Sequence, residues 1–382
     1  MSFSKDKHAY FDYLAASPPF PEALDVFVDV SQRVFGNPSS PHDIGNLAKT
    51  RMMQAKDAFA QLCNLHGGCM ILTSGATEAN NLAIRGVMDQ FPRGRLLLAA
   101  DVHASAWFAK ETYGHRVDIL PVDSEGRIST AGLVERISSD TALCSVVHGN
   151  NETGIIHDVS SIGRICADKG ILLHCDGAQV IGRLPLNLDD LACDLYTFSA
   201  HKFGGTRGTG GILSRKKKTD LLPHAQGGGQ EDGLRAGTEN VAGLASAVRA
   251  LELCTARMAG EIDRLRALTS LLTEKLKRGK PRNVIYSDHE TGLPGLVSVS
   301  FPGTNGMSVV ADMNMAGFAL STGSACSAHE AEPSRVIRAM GRSREEALGT
   351  IRISMGRSTS EEEVLALAET LLTVIERQLR LK

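Results

Sequence analysis

Between Cys69 and Leu213 short apolar runs alternate with longer segments of helical period, and this alternation constrains the fold more than any other feature. The strand candidates are residues 69–73, 95–100, 117–122, 142–148, 171–175 and 194–199. Runs that are apolar throughout, separated by helical crossovers, make a largely parallel sheet buried on both faces.

The flanks read differently. Residues 21–35 carry Leu24, Phe27, Val30 and Val34 at helical spacing, begin at Pro21 and stop at Gly36, and a second helix is predicted over 43–65. Residues 239–277 predict one long helix, or two joined near Gly260, linking two domains. Beyond it come strands at 296–301, 318–321 and 350–354, with helices at 307–315 and from 361 onward. A chain of 382 residues exceeds one compact core. We expect a large domain over 21–254 and a small α+β domain from 1–20 and 255–382.

The formal net charge of -2 supplies no general basic surface, so neither direct nucleic-acid nor direct membrane binding is expected. No apolar run is long and uncharged enough to span a bilayer. Residues 1–16 carry Lys5, Asp6, Lys7 and Asp12 and have no apolar core of the kind a secretory signal needs, so a cytoplasmic protein is expected. The eight cysteines show no Cys-x2-Cys spacing; seven read as buried small hydrophobes in a reducing compartment. A metal set built on Cys63, His66 and Cys69 lacks a fourth ligand nearby, and no metal is expected.

Three motifs carry chemistry. Thr73-Ser74-Gly75-Ala76-Thr77-Glu78 joins a strand to a helix, where free backbone N–H groups can hold a phosphate, although many such turns only cap a helix. His174-Cys175-Asp176-Gly177-Ala178-Gln179 ends an apolar strand, the edge at which open α/β sheets place ligand-binding groups. Ser199-Ala200-His201-Lys202 precedes a glycine-rich loop, and Lys202 alone would read as a solvated loop lysine. With a strand-end acid and a phosphate loop upstream, it suggests a lysine that carries pyridoxal phosphate.

The order of the motifs resembles the class V aminotransferase-fold cysteine desulfurases, of the long-loop, iron–sulfur-assembly type. The resemblance runs through Tyr10-Phe11-Asp12, Gly36-Asn37-Pro38-Ser39-Ser40 with His42, the 73–78 run, His103, Asn150-Asn151-Glu152-Thr153-Gly154 and Asp176 with Gln179. It continues through residues 199–202, Arg235-Ala236-Gly237-Thr238, Gly323-Ser324-Ala325-Cys326 and Arg352 with Gly356. It implies the aspartate-aminotransferase-type fold, with a mostly parallel sheet of seven strands.

By that resemblance Lys202 carries the cofactor as an imine, Asp176 keeps its pyridine nitrogen protonated, and His103 stacks on the ring and assists thiol deprotonation. Gln179 meets the ring hydroxyl; Thr77, Ser199, His201 and the Ala76 backbone hold the phosphate; Thr238 reaches it from a second subunit of a homodimer. Arg352 takes the L-cysteine carboxylate, with Asn151 and Asn37 beside the substrate and Asn151 also near the cofactor. Cys326 is the nucleophile that receives sulfur and hands it to an acceptor protein. Three places depart from the family pattern: His329 and Glu330 in the loop after Cys326, Thr206-Arg207 after the lysine, and Ala15-Ala16 before Ser17-Pro18. A transaminase, a selenocysteine lyase or a non-catalytic scaffold would share the cofactor residues, and the Cys326 motif argues against the first.

Overall fold

A computed structural model describes residues 8–217, 220–288, 290–322 and 333–380, so Cys326, His329 and Glu330 lie outside the described residues. Seven strands form the large sheet, in the order Cys69–Thr73, Gly210–Ser214, Leu195–Ser199, Leu172–Asp176, Thr141–Val147, Arg95–Ala99 and Val117–Leu120. Six run in one direction; Gly210–Ser214 is antiparallel to both its neighbours.

The six strands read from the sequence are present, Cys69–Thr73 as expected and the others with ends shifted by at most two residues. The seventh, Gly210–Ser214, hides in the glycine-rich run because its glycines answer to packing and not to a turn. A Cβ on Gly210 would lie 2.5 Å from Gly75 Cα and 2.7 Å from the Phe198 carbonyl oxygen, and one on Gly211 would lie 2.6 Å from the Ile71 carbonyl oxygen. At these two positions only a residue without a side chain fits.

Helices Pro21–Arg33 and Asp43–Leu62 are each a little shorter than expected. Val241–Arg278 is one continuous helix of 38 residues, capped by the Asn240 side chain, which accepts from Gly243 N. Gly260 faces open space, so nothing packs there to bend the helix. Its first half enters the core that surrounds the large sheet, from Phe20 to Leu253. Its second half, with Leu265, Leu268, Leu272 and Leu276, enters a separate core with Phe11, Val297, Ile351 and Leu371.

That second core is roofed by an antiparallel sheet in the order Thr350–Ser354, Leu296–Ser300, Val284–Ile285. The short strand Ala9–Tyr10 pairs in parallel with Phe318–Ala319, tying the N-terminal stretch to this half. Phe318–Ala319 falls within the strand expected at 318–321, whereas Ala9–Tyr10 carries too little pattern to read from sequence. The short helix Arg344–Leu348 did have a signal, the Ser343-x-x-Glu346 capping box, which closes in the structure.

Candidate active site

The parallel strands end together. Val147 lies level with Asp176, Asp176 with Thr197, and Gly210 with both Ser199 and Thr73. A cavity of about 510 Å³ opens over this edge. At its floor Lys202 closes the short turn Ala200–Lys202, and its Nζ donates to the carbonyl oxygens of Leu14 at 2.8 Å and Ala15 at 2.9 Å. Burial lowers the Lys202 pKa to about 8; the charges of Arg352 and Arg183 push the same way, against the pull of Asp176 and Asp12.

Asp176 is held from two sides: Oδ1 accepts from Ala178 N at 3.0 Å, and Oδ2 accepts from Asn80 Nδ2 at 2.7 Å. Asn80 is wholly buried and also donates to Ser105 Oγ at 2.8 Å. Behind Asp176, His174 bonds Ser145 Oγ and Thr197 Oγ1, and burial depresses its pKa to about 4. His103 caps the helix Ala104–Tyr113, with Ser105 N donating to its Nδ1 at 3.1 Å. That bond assigns the neutral ring's proton to Nε2. Burial lowers the His103 pKa despite the nearby Asp176, so the ring is neutral at pH 7.

One end of the cavity is built for an anion. The helix Ala76–Met88 begins at Gly75 without a side-chain cap, and Gly75, Ala76 and Thr77 line the space. Ser199 Oγ and His201 Nδ1 bond at 3.0 Å beside it. Burial, then the charges of Lys202 and Arg207, lower the His201 pKa to about 4. Arg207 itself lines this end, which gives the Thr206-Arg207 departure a place in the site. Glu78 braces the turn by accepting from Ser74 N and from Arg235 Nε, both at 2.7 Å.

The opposite end holds Arg352, 3% exposed on the strand Thr350–Ser354. It donates through Nη2 to Asp12 Oδ1 at 2.7 Å and through Nη1 to the Asn151 carbonyl at 3.0 Å, while its Nε is buried without a partner. Gln179 donates to the Leu14 carbonyl at 3.0 Å and leaves its buried Oε1 unpartnered.

Ten of the expected site residues therefore meet here: Ala76, Thr77, His103, Asn151, Asp176, Gln179, Ser199, His201, Lys202 and Arg352. Asn37 is not among the residues that line this chain's cavity. It is exposed, and its Oδ1 accepts from Ser39 N at 2.9 Å, a local turn that orders the approach to the helix Asp43–Leu62. Thr238 is exposed and lines no part of this chain's cavity. The sequence reading missed Asn80, Glu78 with Arg235, and Arg183, whose Nη2 donates to the Lys202 carbonyl at 2.6 Å. Asn80 did leave a trace, a polar residue on the apolar face that carries Ala79 and Ala83.

Among the described residues no group of three or more His, Cys, Asp or Glu is arranged to hold a metal ion. None of their helices is long and apolar enough to cross a membrane. The family model described as aminotransferase class-V matches residues 9–367. Cysteine desulfurase IscS of Dictyoglomus turgidum is 34% identical over 97% of this chain and 95% of its own length. Cysteine desulfurase IscS 1 of Archaeoglobus fulgidus is 34% identical over 96% of this chain and 97% of its own. A solved NifS-like protein superposes with a TM-score of 0.87 at 31% identity, covering 97% of this chain and all of the other. SspA in complex with cysteine superposes with a TM-score of 0.78 at 28% identity, over 91% of this chain and 98% of the other.

Proposed function

Because the chain belongs to the aminotransferase class-V family, we propose that it is a pyridoxal-phosphate-dependent cysteine desulfurase. It converts L-cysteine to L-alanine and passes the sulfur, through a persulfide on Cys326, to an acceptor protein serving iron–sulfur cluster assembly or thiolation. The observation that carries this reading is the meeting in one cavity of a buried amine of lowered pKa, a strand-end carboxylate, an open helix N-terminus and a buried guanidinium.

The residues present fit the cofactor. The uncapped start of the helix Ala76–Met88, with Thr77, Ser199 and His201, suits a phosphate. Asp176 faces the same space as Lys202 and suits a protonated ring nitrogen, and the unpartnered Gln179 Oε1 suits the ring hydroxyl. Bound there, pyridoxal phosphate supplies the electron sink that lets the substrate α-carbon give up a proton.

Arg352 orients the substrate carboxylate through its planar fork, with Asn151 alongside. The lowered pKa of Lys202 favours the unprotonated amine, the form that takes up the α-proton at Nζ. His103 keeps its own proton at Nε2 while Ser105 N occupies Nδ1, so ring stacking and hydrogen-bond donation suit it better than taking the thiol proton. The Cys326 thiolate forms a bond to the substrate sulfur as the bond from that sulfur to Cβ breaks, and the electron pair left on the carbon side takes up a proton on the way to alanine.

A homodimer is part of the reading. Thr238 is exposed and lies three residues beyond Arg235, which is fastened to Glu78 at the anion end, a placement suited to reaching a partner's phosphate. The seven described cysteines are all free thiols, which suits a reducing cytoplasm.

The test is alanine and sulfide release from L-cysteine with dithiothreitol. Equal yields from the wild type, both abolished in Cys326→Ala with cofactor absorbance kept and that absorbance lost in Lys202→Ala, support the reading. Bound cofactor with alanine formed independently of Cys326 would assign a different class V reaction.

A further inference from the structure

A second cavity, of about 180 Å³, lies behind the active site, and Lys202 lines both. Part of its wall is apolar, from Phe20, Phe203, Met258 and Leu265, and set into that wall are Arg183, Arg257 and Arg357. Arg183 Nη2 donates to the carbonyl oxygens of Lys202 at 2.6 Å and Tyr13 at 3.1 Å and to Ser17 Oγ at 3.4 Å; its Nε is buried with no partner. Arg357 Nη2 donates to the carbonyl oxygens of Pro18 at 2.6 Å and Pro19 at 2.9 Å. The Phe20 ring lies 4.2 Å from the Arg357 guanidinium and 6.0 Å from that of Arg257.

Among the described residues none of these three guanidinium groups has a carboxylate within ion-pair distance. Glu22 draws on Arg357 only at longer range. The acid that lines the cavity, Glu261, is already gripped by Arg264 through two bonds, at 2.8 and 2.9 Å. Three cations thus border one small space against a single carboxylate that is already paired, an arrangement that an anion relieves. Burial, with the charge of Arg352, lowers the pKa of Arg183 to about 10, and burial, with the charge of Arg257, lowers that of Arg357. Since a water molecule claims about 30 Å³ of liquid, the space has room for a compact molecule and not merely for a monatomic ion.

We propose that this cavity is a binding site for a small organic anion, a carboxylate with a compact apolar body, its charge toward the arginines and its body against the Phe20–Met258 wall. The site is separate from the substrate arginine, since Arg352 does not line it. Through Arg183, which holds the Lys202 carbonyl, an occupant also bears on the peptide that carries the active-site amine.

The test is calorimetric titration of the holoenzyme with benzoate, benzyl alcohol and inorganic sulfate. One benzoate per chain is expected, with benzyl alcohol silent and sulfate at least about tenfold weaker, since the apolar wall and the charge both contribute. Arg257 is exposed on its helix, so Arg257→Gln should leave folding and desulfurase turnover unchanged while weakening benzoate about tenfold or more. Arg352→Gln should leave benzoate binding intact. A flat benzoate titration, binding lost in Arg352→Gln but kept in Arg257→Gln, or sulfate binding as tightly as benzoate would each overturn the proposal.

Discussion

Asn80 donates from Nδ2 to Asp176 Oδ2 at 2.7 Å, in a place where the asparagine is wholly buried and the aspartate nearly so. The bond fixes the direction in which the carboxylate presents its charge. Removing a buried donor to a charged acceptor costs about 1–3 kcal/mol. Asn80→Ala should therefore lower thermal stability by that amount and weaken cofactor binding about tenfold, measured by unfolding scans and cofactor titration. Unchanged cofactor affinity would mean that Asp176 is oriented without Asn80.

Lys202 supplies a pH signature. Its folded pKa, about 8, lies below the ordinary 10.5, so the amine is neutral in the folded chain above pH 8 but still charged in the unfolded one up to about 10.5. Cofactor uptake by the apoprotein should accelerate severalfold from pH 7 to 8 and level off above about 9, followed by absorbance. Because the unfolded chain binds the extra proton in that window, this lysine's contribution to apoprotein stability should rise as pH climbs from about 8 to 10.5. Removing the Arg352 charge in Arg352→Gln should shift the uptake profile to higher pH, since that charge disfavours the protonated amine.

Arg352→Lys keeps the charge and loses the fork. A point ammonium cannot serve Asp12, the Asn151 carbonyl and a substrate carboxylate together. The expected outcome is a KM for L-cysteine raised about tenfold to a hundredfold, with a smaller fall in kcat, read from steady-state alanine release. A loss confined to kcat would place Arg352 outside substrate binding.

Gly210→Ala tests the seam between two strands. Its Cβ would meet backbone atoms of Gly75 and Phe198, which cannot rotate away as a flexible side chain could. Overpacking of this kind costs about 1–3 kcal/mol. The strain falls on Gly75, at the mouth of the anion end, so cofactor affinity should drop together with the melting temperature. Loss of stability with cofactor affinity unchanged would uncouple the seam from the site.

Much of this was legible in the residues. Six strands of the large sheet, the helix Val241–Arg278 and the strand Thr350–Ser354 follow from apolar periodicity, because each buries a continuous face. The phosphate turn, Asp176 and Lys202 are legible as strand-end chemistry. The strand Gly210–Ser214 was not, since glycines chosen for close backbone contact look the same as glycines chosen for a turn. Asn80, Arg183 and the Glu78–Arg235 brace escaped because their roles depend on partners far away in sequence, at separations that carry no local pattern.

The hairpin formed by Leu195–Ser199 and Gly210–Ser214 has a further consequence, for tolerance to insertion. Its legs are paired residue by residue from Leu195 with Ser214 to Ser199 with Gly210, and residues 200–209 close the gap. The backbone bond from Ala200 N to the Thr209 carbonyl at 3.0 Å, and those from Ser17 N to His201 and from Phe20 N to Gly204 at 2.9 Å, stitch that loop to the sheet and to the N-terminal stretch. One residue added between Ala200 and Lys202 would turn the amine out of the cavity, and one added at Arg207–Gly208 would bulge into the anion end that both residues line. The length of this loop should therefore be held constant among relatives of this chain, because both of its halves build the cavity.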